Sequence, residues 1–201
     1  MYIDTPEKLR ALYEAPNERA KKKQLSELEE HSTRFIQLSP FLLLSTYNQL
    51  GQVDASPRGG APGFVKIINR NALIIADAKG NNRLDSLVNI VETGSVGCLF
   101  LIPGVDEVLR VNGKARISTH QQHLNVFSAD RRPPRSCIEI TISEVFLHCA
   151  KAIMRAQLWE EGAQVERSVL PTMNRMIHDQ LNLQQEPESQ DSMMLRYNKD
   201  L

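Results

Sequence analysis

The residue types best suited to chemistry lie in one short segment, Asp77–Leu87. Lys79 and Arg83 supply positive charge there, beside a glycine and two asparagines, Asn81 and Asn82. An apolar run ends just before the segment and a helical pattern begins at about Asn82, so these charges would stand at a helix N-terminus. Unpaired backbone N–H groups and the positive end of the helix dipole favour anions at such a place. The segment predicts a phosphate site, and the alternative is a capped helix whose arginine is simply solvated.

A second basic position follows another predicted strand. Arg58 comes two residues after Ser56, in a segment of small residues, Asp54–Gly60. A guanidinium can hold a phosphate through two parallel hydrogen bonds. Arg58 could therefore reach the same anion as Arg83, whereas a plain hairpin turn is the simpler interpretation of this segment by itself.

The single tryptophan of the sequence, Trp159, lies beyond the last predicted strand. It follows Lys151 and Arg155 at helical spacing. A lone tryptophan is usually an anchor in a core or an interface, but its ring can also pack on a planar ligand. Both interpretations stay open at this point.

Common catalytic motifs are absent from the sequence. It has no GxGxxG or GxxxxGK[ST] nucleotide loop, no GxSxG nucleophile elbow and no HExxH metal motif. His120 and His123 are three positions apart and could share a metal, but an exposed histidine pair is far more often inert. We therefore predict no metal site, and no side chain stands out as a catalytic acid or base.

Composition narrows the class of protein. The 201 residues carry 24 Lys and Arg against 24 Asp and Glu, so a broad surface for nucleic acid or an anionic membrane is not expected. The three cysteines form no CxxC pair, which argues against a disulfide framework or structural zinc and favours buried, reduced thiols in a cytoplasmic protein. No apolar run approaches the roughly 20 residues that cross a bilayer, and the charged N-terminus is not a secretory signal.

The pattern along the chain indicates many short strands and few helices. The predicted helices are one that Thr5 caps, Asn17–Glu30, Asn82–Val91, Lys151–Trp159 and Thr172–Leu183. The predicted strands are Phe41–Tyr47, Val53–Ser56, Phe64–Asn69, Ala72–Ala76, Ser95–Ile102, Glu107–Ile117 and Ser136–Ala150. A polar tail near residues 184–192 is expected to be loose. Such a pattern favours a barrel or a sandwich over a βαβ sheet.

Three of these elements carry a clear apolar periodicity. One face of the strand Glu107–Ile117 holds Leu109, Val111, Ala115 and Ile117. The helix Asn82–Val91 has an apolar stripe of Leu84, Leu87, Val88 and Val91. In the last strand the apolar positions shift by one, from Ile138, Ile140 and Ile142 to Val145, Leu147 and Cys149. A one-residue phase shift inside a strand predicts a β-bulge, which bends a sheet and helps it to close.

The order of four sequence blocks resembles that of the FMN-binding split-barrel flavoproteins related to pyridoxamine 5'-phosphate oxidase. The blocks are SPRGG-PGFV, AKGNNRLDSLVNI, GCLFLIPGVDEVLRVNGKARI and VFLHCAKAIMRAQLW, and the likeness covers about Phe35–Trp159. The most similar branch is that of small bacterial flavoproteins of unassigned substrate. The resemblance implies a mainly β protein, an antiparallel FMN-binding split β-barrel with flanking helices over residues 35–160. Residues 1–34 would be a helical extension, and residues 161–201 a helical segment with a loose tail.

The resemblance also implies how FMN binds. The residues that would contact it are Ser56, Arg58, Asp77, Asn81, Asn82, Arg83, Arg155 and Trp159. The arginines and asparagines near the strand end and the helix start would hold the phosphate, and Asp77 would lie near the flavin ring. Because FMN lies between two subunits in this family, the resemblance implies a homodimer whose partner chain supplies Arg155 and Trp159.

Three departures from the related flavoproteins argue against pyridoxamine phosphate as the substrate. Gly60 replaces the aspartate that the small bacterial branch carries in SPRGD, Val108 stands where the oxidase has a glutamine on the flavin, and Arg196–Asn198 lacks the C-terminal Arg/His signature of the oxidase. The resemblance therefore implies an FMN-dependent oxidoreductase that acts with an unassigned small redox substrate or NAD(P)H. The alternative is a non-catalytic module that binds or senses flavin or haem.

Overall fold

The computed structural model describes residues 2–199 and forms two compact units, Met1–Ala152 and Ile153–Leu201. All strands of the described chain belong to the first unit, and the second is helical. The division of the sequence after residues 34 and 160 stays a prediction.

Seven strands of residues 2–199 form one antiparallel sheet. They are β1 (Phe41–Tyr47), β2 (Val53–Gly59), β3 (Val65–Asn69), β4 (Ala72–Ala76), β5 (Ser95–Ile102), β6 (Val105–Ser118) and β7 (Cys137–His148). Their order across the sheet is β2-β1-β5-β6-β7-β4-β3. The mainly β, antiparallel split-barrel fold is thus confirmed, with β1 and β5 at their predicted bounds.

The sheet curls back on itself. Arg58 on β2 and Asp77 just after β4 are five strands apart in the sheet order, which is about 24 Å in a flat sheet. Their side chains nevertheless approach to 3.6 Å between Nη1 and Oδ1. The two ends of the sheet therefore face each other around a shared core, as barrel closure requires. The core includes Leu42, Leu44, Phe100, Leu109, Ile138 and Ile140.

β2 is longer than the sequence predicts. It spans Val53–Gly59, although Pro57 was expected to end it near Ser56. Proline has no N–H to donate, but β2 is an edge strand of the described sheet and needs ladder hydrogen bonds on one side only. Arg58 is therefore a strand residue, and the interpretation of Asp54–Gly60 as a plain hairpin turn is wrong.

A β-bulge bends the long ladder between β6 and β7. The register shifts between Asn112 and Gly113, which leaves Ser143 as the extra residue of β7. This confirms the bulge that the apolar phase shift predicts. A Cβ on Gly113 would lie 2.1 Å from the Thr141 carbonyl oxygen, so the close approach of the two strands requires glycine.

Beyond the bulge, the predicted apolar run of β7 is buried only at its start. Val145 is 1% exposed, but Leu147 is 44% exposed and Cys149 is exposed as well. The pairing of β4 with β7 reaches no further than Thr141. The last residues of β7 are therefore not paired with β4, which flanks only the first half of the strand. The expected burial of Cys149 is therefore wrong, whereas Cys98 and Cys137 are buried as expected.

The segment before β1 completes the core instead of forming a long helix. Its helices are α1 (Pro6–Arg10), which Thr5 caps as predicted, α2 (Glu18–Lys22) and α3 (Glu30–Leu38). Leu25 pairs with Val145 through two backbone hydrogen bonds of 3.0 and 2.8 Å. Leu28 is 1% exposed in the core. The continuous helix predicted over Asn17–Glu30 is wrong, because Leu25 joins the sheet.

The remaining helices are α4 (Asp85–Thr93), α5 (Gln121–Leu124), α6 (Lys151–Ala156), α7 (Met173–Leu181) and α8 (Gln190–Asn198). α6 ends before Trp159, contrary to the prediction, and Gln157 has a left-handed φ of 48°. Thr172 caps α7, and α8 forms where part of the loose tail was expected.

None of the described helices combines the length and the apolarity that crossing a bilayer requires.

We expect Gly113→Ala to lower the free energy of unfolding by about 3 kcal/mol, because the added methyl group has no room beside the Thr141 carbonyl. The matched control is Gly162→Ala, since nothing lies within 4 Å of the Cβ added there. The control should change the stability by less than about 0.5 kcal/mol. Urea unfolding followed by circular dichroism measures both, and equal midpoints for the two variants would contradict this account of the bulge.

Candidate phosphate-binding site

β2 presents three polar side chains on the face of the sheet that is turned toward the core. Its burial alternates, so Asp54, Ser56 and Arg58 are half-buried while the residues between them are exposed. Ser56 lies opposite Leu44 and Arg58 opposite Leu42, and both leucines are fully buried in β1. Two of the predicted site residues therefore share one face at the edge of the barrel.

Arg58 is the least satisfied polar side chain of this face. Its Nη1 lies 3.6 Å from Asp77 Oδ1, and the two side chains are 19% and 24% exposed. Its Nε is buried and has no hydrogen-bond partner. A buried donor without an acceptor is costly, so this N–H group is poised to meet an acceptor that a ligand brings.

The backbone holds Asp77 in place independently of its carboxylate. Asp77 N donates to Ser136 O at 3.0 Å, and Ala76 just before it pairs with Cys137 of β7. The end of β4 is therefore anchored to β7, and the carboxylate of Asp77 extends from a defined position toward Arg58.

The turn after β4 delays the start of the helix. Asn81 Oδ1 accepts a hydrogen bond from Arg83 N at 3.1 Å, and Asn82 and Leu84 each have a left-handed φ of 61°. Such a backbone cannot continue into a right-handed helix. α4 therefore begins at Asp85, and the predicted start at Asn82 is wrong by one turn.

The buried face of α4 differs from the predicted apolar stripe, which is right only at Leu87. Leu87 packs against the core, whereas Leu84, Val88 and Val91 are 49%, 48% and 75% exposed.

The fully buried positions of α4 are Ser86, Asn89 and Ile90. Asn89 Nδ2 donates to Thr46 Oγ1 at 3.0 Å, and Ser86 Oγ donates to Asp54 Oδ2 at 2.5 Å. Hydrogen bonds to β1 and β2 therefore act together with Ile90 and Leu87 in fixing the buried face of α4.

Arg83 stands in solvent at the start of α4. Its side chain is 73% exposed, and its Nε donates to Asp85 Oδ2 at 2.8 Å. The hydrogen bond that Arg83 donates to Asp85 and the charge of the same carboxylate raise the pKa of Arg83, and the charge of Asp54 adds to the effect. Because this side chain is exposed, it is free to exchange its carboxylate partner for another anion.

The structure thus groups the predicted residues into two guanidinium–carboxylate pairs. Arg58 meets Asp77, Arg83 meets Asp85, and the charge of Asp54 on β2 also acts on Arg83. The first pair is half-buried and holds an unused donor, whereas the second is exposed. Sequence reasoning gave no role to Asp54, although its alternate spacing with Ser56 and Arg58 would have placed it on the same strand face.

Arg155 and Trp159 belong to the other compact unit. Arg155 is exposed on α6, and Trp159 is half-buried in the turns that follow this helix. Their contribution to a cofactor site of a partner chain stays a prediction.

The histidine pair forms a polar cleft apart from these residues. The cleft has a volume of about 370 Å³ and includes Arg116, Ser118 and Glu139 in its lining. Ser118 Oγ lies 2.9 Å from His123 Nδ1, and the His120 and His123 rings meet edge to face. Across residues 2–199 there is no cluster of three metal-ligating side chains.

The comparisons with known proteins agree with this fold. The model of the pyridoxamine 5'-phosphate oxidase family matches residues 28–149. HupZ of Group A Streptococcus is 14% identical with a TM-score of 0.51, over 60% of this chain and 93% of that chain. An FMN-binding protein of Syntrophomonas wolfei is 14% identical with a TM-score of 0.42, over 58% and 88% of the two chains. No curated protein matches the sequence.

We expect Ser86→Ala to lower the free energy of unfolding by about 1 kcal/mol, because it leaves the half-buried Asp54 carboxylate without its hydroxyl donor. Asp54→Asn should have a similar effect, and the double variant should cost less than the sum of the two. Ser189→Ala, which removes an exposed cap of α8, is the control for a serine lost elsewhere in the chain. Strictly additive effects of Ser86→Ala and Asp54→Asn would contradict the coupling of β2 to α4.

Proposed function

Since residues 28–149 match its model, this chain belongs to the pyridoxamine 5'-phosphate oxidase family, and we propose that it is a flavoprotein that binds FMN in a homodimer. In this proposal the protein is an FMN-dependent oxidoreductase. Its reaction partners are NAD(P)H or another small redox molecule of unassigned identity. When bound, the flavin supplies the hydride or electron transfer, and the protein supplies binding and orientation.

The observation that carries the proposal is the buried, unpartnered Nε of Arg58. A phosphate offers several strong acceptor oxygens, and a guanidinium can donate to two of them in parallel. Ser56 lies one step along the same strand face and offers a hydroxyl. The residues present therefore fit a phosphate, with Arg58 as the principal donor and Ser56 beside it.

The start of α4 supplies the second group of contacts in this proposal. Arg83 is exposed and exchanges Asp85 for the phosphate at little cost, because exposed ion pairs contribute little. Asn81 and Asn82 shape the turn that brings Arg83 to this place. Asp77 stands at the end of β4, 3.6 Å from Arg58, and would therefore lie at the phosphate end of the flavin and not near the ring, where the resemblance puts it.

Two thiols of the barrel take no part in the proposed chemistry. Burial raises the pKa of Cys98 to about 12. Burial also raises the pKa of Cys137. A thiolate is the reactive form of cysteine, so neither residue is assigned a role as nucleophile in this proposal.

Two departures from the related flavoproteins are built into the packing, so we do not propose pyridoxamine phosphate as the substrate. A Cβ on Gly60 would lie 2.8 Å from Phe64 Cβ, which leaves no room for an aspartate without a shift. Val108 is 5% exposed and has no polar group to offer a flavin.

Apolar residues on the barrel surface support the proposed homodimer. Val53 is 84%, Val91 75% and Tyr47 44% exposed. Exposed apolar patches often mark sites of association. In the proposed dimer the partner chain adds Trp159 and Arg155 to the FMN site.

The absorbance spectrum of the purified protein tests the function directly. A flavin spectrum that bleaches anaerobically with NAD(P)H is the expected result. A bound flavin that NAD(P)H cannot reduce would favour a non-catalytic module. A haem spectrum would overturn the flavin assignment.

We expect Arg58→Ala to weaken FMN binding by about 10- to 100-fold, the loss of one charged hydrogen bond, and to leave riboflavin binding within twofold. Arg83→Ala should weaken FMN less, because its side chain is exposed. Arg10→Ala, on the exposed helix α1, is the matched control. Flavin fluorescence titration measures the affinities, and an unchanged FMN affinity in both Arg58→Ala and Arg83→Ala would remove this site from consideration.

We expect FMN to quench the fluorescence of Trp159 if the partner chain places this ring on the flavin. Trp159→Leu should then loosen FMN, while Trp159→Phe, which keeps an aromatic ring, should retain most of the affinity. Sedimentation at micromolar concentration should show tighter dimers with FMN, since a ligand that binds the dimer stabilises it by mass action. A monomer that binds FMN with full affinity would contradict the interface.

A further inference from the structure

We propose that the Asp77 carboxylate competes with the phosphate of the cofactor for Arg58, and so weakens the binding of phosphorylated flavin while leaving unphosphorylated flavin unaffected. This inference rests on the proposed function and adds a regulating residue to the same site. The competition sets how firmly the barrel holds FMN.

The contact between Asp77 and Arg58 is one of charge alone. Nη1 and Oδ1 are 3.6 Å apart, whereas a charged N–H···O hydrogen bond is about 2.7 to 2.9 Å long. The carboxylate of Asp77 makes no hydrogen bond to any residue from 2 to 199, so it does not lock the guanidinium in one orientation. The two side chains are 19% and 24% exposed, and water therefore screens their charges less than at the open surface.

The other two carboxylates near the site have partners that occupy them. Asp54 accepts the Ser86 hydroxyl at 2.5 Å, and Asp85 accepts Arg83 Nε at 2.8 Å. Only the carboxylate of Asp77 is half-buried, faces Arg58 and lacks a hydrogen bond within the described chain. It is therefore the negative charge that an incoming phosphate meets at this arginine.

The balance of charge makes this encounter unfavourable. Within the described site, three carboxylates, Asp54, Asp77 and Asp85, accompany two guanidinium groups, Arg58 and Arg83. A phosphate monoester adds a charge of about −1.5 to −2 near neutral pH. Removing one carboxylate charge therefore favours the phosphate, both by lifting direct repulsion and by freeing Arg58.

The neutral variant keeps the local structure. Asp77 N remains bonded to Ser136 O, and the pairing of Ala76 with Cys137 does not involve the carboxylate. Replacing the carboxylate of Asp77 by an amide therefore changes the charge without moving the strand end.

The test compares FMN with riboflavin, which lacks the phosphate, in fluorescence titrations of the apoprotein. Asp77→Asn and Asp77→Ser should each bind FMN about tenfold more tightly than the wild type and bind riboflavin within twofold. Asp77→Glu keeps the charge and should not bind FMN more tightly than the wild type. Asp4→Asn removes a carboxylate from an exposed pair with Lys8 and controls for net charge.

The outcomes separate the two proposals. FMN binding that is unchanged or weaker in both neutral variants, with melting temperatures of the apoproteins like that of the wild type, would overturn the role of Asp77 and leave the flavin site intact. Equal tightening for riboflavin would also overturn it, because the gain would not involve the phosphate. Absence of FMN binding by the wild type and every variant would overturn the proposed function, and this inference with it.

Discussion

The contact between Arg58 and Asp77 depends on the closure of the barrel. The two residues belong to strands at opposite sides of the sheet order, and only a sheet that curls back brings them within 3.6 Å. The bulge at Ser143 bends β7 so that its first half pairs with β4 and its second half with Leu25. The glycine at 113 permits that bend, so a backbone requirement far from the site determines whether the site exists.

Patterns that act over a few residues predicted the fold well. Apolar residues alternate along β6, and in β7 this alternation shifts by one residue. Such alternation depends only on neighbouring residues of one strand, and the shift placed the bulge correctly. Errors arose where a distant partner decides the outcome. Asn17–Glu30 has the charges of a solvated helix, yet Leu25 is drawn into the sheet by Val145. The buried face of α4 likewise depends on the hydrogen bond that Asn89 donates to Thr46, together with the core contacts of Ile90 and Leu87.

The candidate site was predictable in its residues but not in its pairing. Alternation along β2 puts Ser56 and Arg58 on one face, and the segment after β4 shows its charges in the sequence. The carboxylate that each arginine meets depends on the curl of the sheet and on the two left-handed residues before α4, Asn82 and Leu84. Sequence spacing contains neither of these, because both depend on φ angles and strand order.

A site assembled in this way is tied to the folded state. Its groups come from an edge strand, a strand end and a helix start, which are neighbours only when the barrel has closed. A ligand that joins them binds the folded chain and not the unfolded one, and therefore adds to its stability. In the protein without a ligand, Asp77 and Asp85 supply the counter-charges of Arg58 and Arg83. Any anion that binds these arginines must therefore replace or share carboxylates that belong to the chain itself, and the half-buried Asp77 is the one held nearest to the barrel.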